Sequence, residues 1–166
     1  MTTLAGKAGA ARRIQERQLA KECIGACDWM FPLIDIPRGE DHVGDPALES
    51  RIVSAVLGQR VTEHELYRVG ERVFNLQRAV LLREGHRARR DDLLPAEWHE
   101  RPVQTHVADP ELLAPGPAGE VVSQLGRRVN LSSYLRIRDE YYALRGWDVP
   151  TGLPSRQQLQ ALGMDD

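Results

Sequence analysis

The sequence predicts an all-α fold: an irregular helical domain with a long central helix and an extended, proline-rich coil segment. Three observations predict it. Thr62 is followed three residues later by Glu65, the capping-box pattern of a helix start, and Leu66, Val69, Gly70, Val73, Phe74, Leu76, Gln77 and Val80 then recur at helical spacing. No stretch alternates apolar and polar residues as a half-buried strand does, and there is no internal repeat or low-complexity tract. Pro95, Pro102, Pro110, Pro115 and Pro117 punctuate the stretch from Leu93 to Ala118, which predicts coil there.

Taken in order, residues 1–10 are small and polar and are expected to form a flexible N-terminus, with one helical domain over residues 11–166. A first helix is expected from about Ala11 to Leu19 or beyond, with Ile14, Leu19 and Ile24 loosely on one side. Gly25, Pro32, Pro37, Gly39 and Gly44 then break helical regularity over a long loop, a kind of segment that is more often functional than not. Asp45 is a good N-cap ahead of Pro46, so a short helix should run from Pro46 to about Leu57 and stop at Gly58. The central helix follows from Thr62 to Glu84, roughly 35 Å long, with Gly85 at its stop. Its Glu71, Arg72, Arg78, Arg83 and Glu84 suit a solvated face opposite the apolar stripe. Val121–Leu125 reads as a helical turn or two. A helix is expected from Asn130 or Ser132 to Gly146, and a last one from Ser155, capped with Gln158, to Gly163.

Composition excludes several functions. With 166 residues, 42% hydrophobic and 28% charged, the chain can bury a core as one domain. A net charge of −2 and 5% aromatic residues argue against nucleic-acid binding. No apolar run approaches the ~20 residues of a membrane span, and the first residues lack the apolar stretch of a signal peptide. Two cysteines make no disulfide framework, so the expected compartment is the cytoplasm.

Few residues point to chemistry by themselves. Cys23 and Cys27, at i and i+4, would lie one helical turn apart, half of a metal site, yet no second pair matches them and a buried packing role fits better. Asp91, Asp92, Glu97, His99 and Glu100 offer oxygen and nitrogen ligands at no known metal spacing, and read as a solvated loop. His42, in the long loop, is placed to move a proton or simply to pack. Arg87, Arg89 and Arg90 can grip a phosphate, but neighbouring carboxylates argue for local pairing. Trp29, Phe31, Trp98, Tyr141, Tyr142 and Trp147 read as packing anchors.

Two longer words carry more. GERVFNLQRAVLLREG with the following DDLLP, and EYYALRGWDVPTGLPSRQQLQALG near the end, resemble the C-terminal part of the tungsten-containing aldehyde:ferredoxin oxidoreductase family. The resemblance runs roughly from Gly9 to Met164 and spans only the last quarter or so of a full-length member. In that family a D-x-x-G-x-C segment follows a helix. Its cysteine is the fourth thiolate of a 4Fe–4S cluster, and its acidic residue contacts the pterin. The matching segment here is Glu22-Cys23-Ile24-Gly25-Ala26-Cys27. The resemblance therefore implies Cys27 as a metal ligand and Glu22 and Gly25 as cofactor-binding residues, with Glu22 one methylene longer than the usual aspartate. Cys23 receives no role, and no catalytic residue is assigned.

By resemblance, the complete enzyme oxidises aldehydes to carboxylic acids at a tungstopterin (or molybdopterin) and passes electrons through the cluster to ferredoxin. The other three cluster cysteines are absent from this chain. Its expected partner is therefore an N-terminal portion, or a separate subunit, that carries them. The isolated chain is expected to hold no cofactor. The alternative is a stand-alone, cofactor-free helical module that binds a protein partner.

Overall fold

A computed structural model describes residues 5–27, 45, 47–104 and 109–164. Among them are six α-helices: α1 (Lys7–Cys23), α2 (Leu48–Leu57), α3 (Glu63–Arg83), α4 (Glu97–Glu100), α5 (Leu131–Leu144) and α6 (Arg156–Ala161). A 3-10 turn at Ala88–Arg90 and one antiparallel pair of short strands, β1 (Leu113–Pro115) and β2 (Val121–Ser123), complete the regular structure. The all-α expectation holds, with the central helix as its longest element.

The caps form as the sequence implies. The Thr62 hydroxyl accepts the Glu65 N–H at 3.2 Å, and the Glu65 carboxylate accepts the Thr62 N–H at 2.7 Å, so two orphan donors of α3 are satisfied reciprocally. Asn130 and Ser155 cap α5 and α6 through the N–H groups of Ser133 and Gln158. Four boundaries move. α1 begins at Lys7 rather than Ala11, inside the stretch expected to be flexible, where Lys7, Ala8 and Ala10 favour helix enough to carry Gly9 with them. α2 begins at Leu48, since the Asp45 carboxylate accepts the Ala47 N–H at 2.9 Å and holds that residue outside the helix. The proposed start at Pro46 lies outside the described residues. The stretch 93–118 holds α4 and β1 in addition to coil, and Val121–Ser123 is a strand, not a helical turn. The loop closes through Gly116, whose N–H donates to Glu120 O at 2.6 Å, and pairs Pro115 with Val121. Strands of three residues are too short to display a period of two.

The described residues form two compact units: Ala11–His86 with Pro154–Asp166, here the α3 unit, and Met1–Ala10 with Arg87–Leu153, here the α5 unit.

In the α3 unit a small apolar cluster of Ala20, Leu66 and Tyr67, with Ile24, Val53 and Val61 against it, joins α1, α2 and α3. The expected stripe on α3 is only partly buried. Leu66 and Gly70 are inside, but Val69, Leu76 and Val80 are exposed, while polar Asn75 and Arg78 are buried. The helix has turned the side carrying Leu66, Gly70, Asn75 and Arg78 inward, leaving Arg72 exposed. Gly70 explains this, because a Cβ there would lie 1.9 Å from the Glu16 carbonyl oxygen on α1. Only glycine admits so close a crossing. Glu71, read from sequence as solvated, accepts hydrogen bonds from Arg12 at 3.2 Å and from Gln158 at 2.9 Å, tying α3 to α1 and α6.

In the α5 unit the interior is aromatic and cationic. Tyr142, Trp147, Arg138 and Arg145 are buried on or just after α5. Trp147 packs at 6.1 Å from Tyr141 and 5.7 Å from Tyr142, ring centre to centre. Around them Asp92 gathers donors: its carbonyl accepts Tyr134 O–H at 3.0 Å and Arg138 Nη1 at 3.1 Å, and its carboxylate accepts Tyr142 O–H. The DDLLP and YYALRGWD words thus meet in one hydrogen-bonded interior.

Candidate functional site

The Glu22–Cys27 segment is shaped by how α1 stops. Gly25 takes φ +71°, its N–H donates to Glu22 O at 3.1 Å, and the Ala26 N–H donates to Lys21 O at 2.9 Å. These are the two bonds of a Schellman closure, and they need a left-handed residue between them. A Cβ on Gly25 would meet nothing within 4 Å, so the backbone angle, not crowding, selects glycine here.

One expectation falls with this geometry. α1 ends at Cys23, so Cys27 stands beyond the stop and the two thiols are not one helical turn apart. Both cysteines are exposed, which also overturns the buried packing role. Glu22 is exposed as well, and its carboxylate accepts a hydrogen bond from Gln18 Nε2 at 3.1 Å. The segment therefore offers solvent a thiol and a carboxylate on either side of a fixed turn.

Beneath it lies an ionic anchor that the sequence does not signal. Glu49 on α2 is 2% exposed, and its Oε1 accepts Arg17 Nη2 at 3.1 Å and sits 3.9 Å from Lys21 Nζ. Lys21, the residue whose carbonyl closes the turn, is itself fully buried. Buried charges require such partners. Glu49 Oε2 has no hydrogen-bond partner, and Glu49 lines a cavity of about 450 Å³ whose other walls are the Ile24–Ala26 turn and Ile52, Val53, Val56 and Leu57 of α2. Arg17 and Lys21 at i and i+4 look like an ordinary solvated pair, and only the partner on α2 reveals otherwise.

The remaining candidates are used structurally or dispersed. Asp91 pairs with Arg87 at 2.7 Å. Arg89 binds Asp139, with Nη2 at 3.1 Å from Oδ2, and donates to the Val149 carbonyl at 3.0 Å, so Arg87 pairs locally as expected while Arg89 reaches partners on and beyond α5. The Arg89 hydrogen bond holds the Asp139 carboxyl below its ordinary range. Burial raises the Tyr134 phenol. His99 Nδ1–H donates to Val129 O at 2.8 Å, while Glu97 and Glu100 lie on α4. Among the described residues no three His, Cys, Asp or Glu side chains are grouped to hold a metal ion. Trp98, read as a packing anchor, is 54% exposed, whereas Tyr142 and Trp147 are buried. His42, Trp29 and Phe31 lie outside the described residues. No described helix is long and apolar enough to cross a membrane.

Comparison with known proteins matches residues 1–164 to the family model described as aldehyde ferredoxin oxidoreductase, domains 2 and 3. A tungsten-containing aldehyde ferredoxin oxidoreductase of Pyrococcus furiosus is 32% identical over 113 residues, which is 68% of this chain. The chain spans about 15% of that relative's length.

Proposed function

The chain belongs to the aldehyde ferredoxin oxidoreductase family, and we propose that it supplies the C-terminal helical part of an oxidoreductase that oxidises aldehydes to carboxylic acids with ferredoxin as electron acceptor. Cys27 would give one thiolate to a 4Fe–4S cluster, and Glu22 and Gly25 would lie against a tungstopterin. The observation that carries this reading is the exposed Cys27 thiol two residues past the left-handed Gly25.

The residues present fit that role in part. Iron–sulfur clusters are held by thiolates, commonly four, and this chain has two cysteines. The other ligands must come from sequence outside these 166 residues, in the same protein or in another subunit. A thiol that projects from a rigid turn suits a ligand to a cluster seated elsewhere. When bound, the metal centres would supply the electron transfer. The chain's own part is to hold Cys27 at a fixed place, through the Schellman closure and the buried Lys21–Glu49–Arg17 anchor, and to present the Glu22 carboxylate beside it.

The test is to combine the chain with the portion carrying the other three cysteines and follow the cluster by electron paramagnetic resonance and iron analysis. Cys27→Ala should abolish or alter the cluster signal, and Cys23→Ala should leave it unchanged. The reverse pattern, or indifference to Cys27→Ala, would refute the assignment. One observation favours the alternative, a cofactor-free binding module: Val69, Val73 and Leu76 of α3, with Leu159 and Met164, line an apolar groove of about 650 Å³. That reading predicts no cluster in any combination.

A further inference from the structure

The α5 unit contains a second cavity, of about 350 Å³, remote in sequence from the cysteine segment and lined by Lys7, Arg127, Arg128, Val103, Tyr134 and Ile137 among others. That volume is within the range of small-molecule sites, roughly 300–1,000 Å³. We propose that it binds an amphipathic anion: a carboxylate or phosphate head carried on an apolar body. This does not rest on the cofactor reading above.

The charge pattern carries the argument. Arg12, Arg13, Arg17, Arg51, Arg87, Arg89 and Arg138 all pair with carboxylates. At this cavity three cations converge, no Asp or Glu lines it, and none of the three has an ion pair among the described residues. In a chain with 24 acidic residues against 22 basic ones, the distinguishing feature is this convergence of three cations on one lining without an acid. The cavity also reaches Asn130, the N-cap of the 14-residue α5, whose first turn carries no acidic residue. The positive end of that helix adds to the same field.

The walls specify the rest of the ligand. Val103, Val129 and Ile137 are aliphatic, and the Tyr134 hydroxyl is already committed to Asp92 O at 3.0 Å, which leaves its ring as wall. The backbone beneath is pinned in advance. The Val103 N–H donates to Arg127 O at 2.8 Å, the Gly126 N–H to Val103 O at 2.8 Å, and the Val129 N–H to Trp98 O at 3.0 Å. Arginine's planar fork matches carboxylate and phosphate oxygens, and a fixed backbone lowers the ordering cost of binding. A bare anion would leave the apolar walls unused, and a neutral apolar ligand would leave the cations unpaired.

The test is calorimetric titration of the full chain with octanoate, octyl phosphate, inorganic phosphate and octylamine. Saturable binding of octanoate or octyl phosphate, at least about tenfold tighter than inorganic phosphate or octylamine, is expected, and which of the two binds tighter identifies the head. The Arg127→Gln, Arg128→Gln double variant should weaken it about tenfold or more, and Lys7→Gln, on another segment, should weaken it less. All three are solvent-accessible side chains, and circular dichroism of each variant checks that the helices remain. Equal binding of inorganic phosphate, equal binding of octylamine, no binding by any probe, or variants that bind as the native chain does would each overturn the proposal.

Discussion

The two units solve the same problem with different materials. The α5 unit buries Tyr142, Trp147, Arg138 and Arg145, and organises donors around the single residue Asp92. The α3 unit has an apolar cluster of three buried residues. It depends instead on a close helix crossing at Gly70 and on buried ionic contacts, Lys21–Glu49–Arg17 and Arg12–Glu16. The difference teaches where each is vulnerable. A network with many members loses one hydrogen bond at a time, each worth about 0.5–1.5 kcal/mol net. A unit that relies on a close crossing and on the deeply buried Glu49 carboxylate is vulnerable at either.

The largest expected effect is therefore at Glu49. Glu49→Gln removes the charge that Lys21 and Arg17 share and leaves buried cations undercompensated, which should cost about 3–5 kcal/mol. A fall in melting temperature on the order of 10 °C should follow. A thermal melt within a degree or two of the native chain would show that the anchor is not what holds α1 to α2. Gly70→Ala comes next. Its Cβ would meet backbone, which cannot swing aside as a side chain can, so the loss should reach the top of the roughly 1–3 kcal/mol typical of overpacking. Denaturant midpoints read it directly, and an unchanged midpoint would mean that α1 and α3 slide apart without cost.

A smaller effect sharpens the comparison from the other side. In the α5 unit, the Arg89 hydrogen bond keeps the Asp139 carboxyl below its ordinary value of 3.8. Because the folded value lies below the unfolded one, the pair contributes stability above the unfolded value and loses it as pH falls through the folded one. The Asp139 side chain is 37% exposed, so solvent screening keeps the contribution small. Melting temperatures of native chain and Asp139→Asn, taken from about pH 6 down to about pH 2, should converge at the acid end. Curves that stay parallel would refute the pairing. The smallest effect belongs to the outward line of α3. Leu76 is 54% exposed, so Leu76→Ser in the chain alone should change stability by less than about 0.5 kcal/mol. A larger loss, read by the same melts, would mean that this face is covered.

Legibility followed the range of the interaction. The caps at Thr62, Asn130 and Ser155 and the stops at Gly58, Gly85, Gly146 and Gly163 were readable because each rests on contacts within a few residues. The β1–β2 pair was not, because three-residue strands carry no period and their pairing depends on a turn between them. The motif words were legible as words but misleading as geometry. Gly70 and Glu71 sat in a stripe read as apolar core beside a solvated face, and both proved to be contact points between helices. At the candidate site, Glu22, Gly25 and Cys27 could be singled out from sequence, while Lys21 and Glu49 could not, since the two are 28 positions apart and look like ordinary surface charges.

By itself, then, the sequence determined the helical class, the caps of α3, α5 and α6 with the glycine stops, and the membership signalled by its two long words. Those properties arise from local backbone chemistry and from residue identity. Only the tertiary structure decided which face of α3 turns inward, that Cys23 and Cys27 both stand in solvent, and that the charge on Lys21 is buried against Glu49. Each of these depends on which distant segment arrives opposite. Periodicity reports that a helix has two faces; the backbone-to-backbone approach that Gly70 permits selects the one that is used.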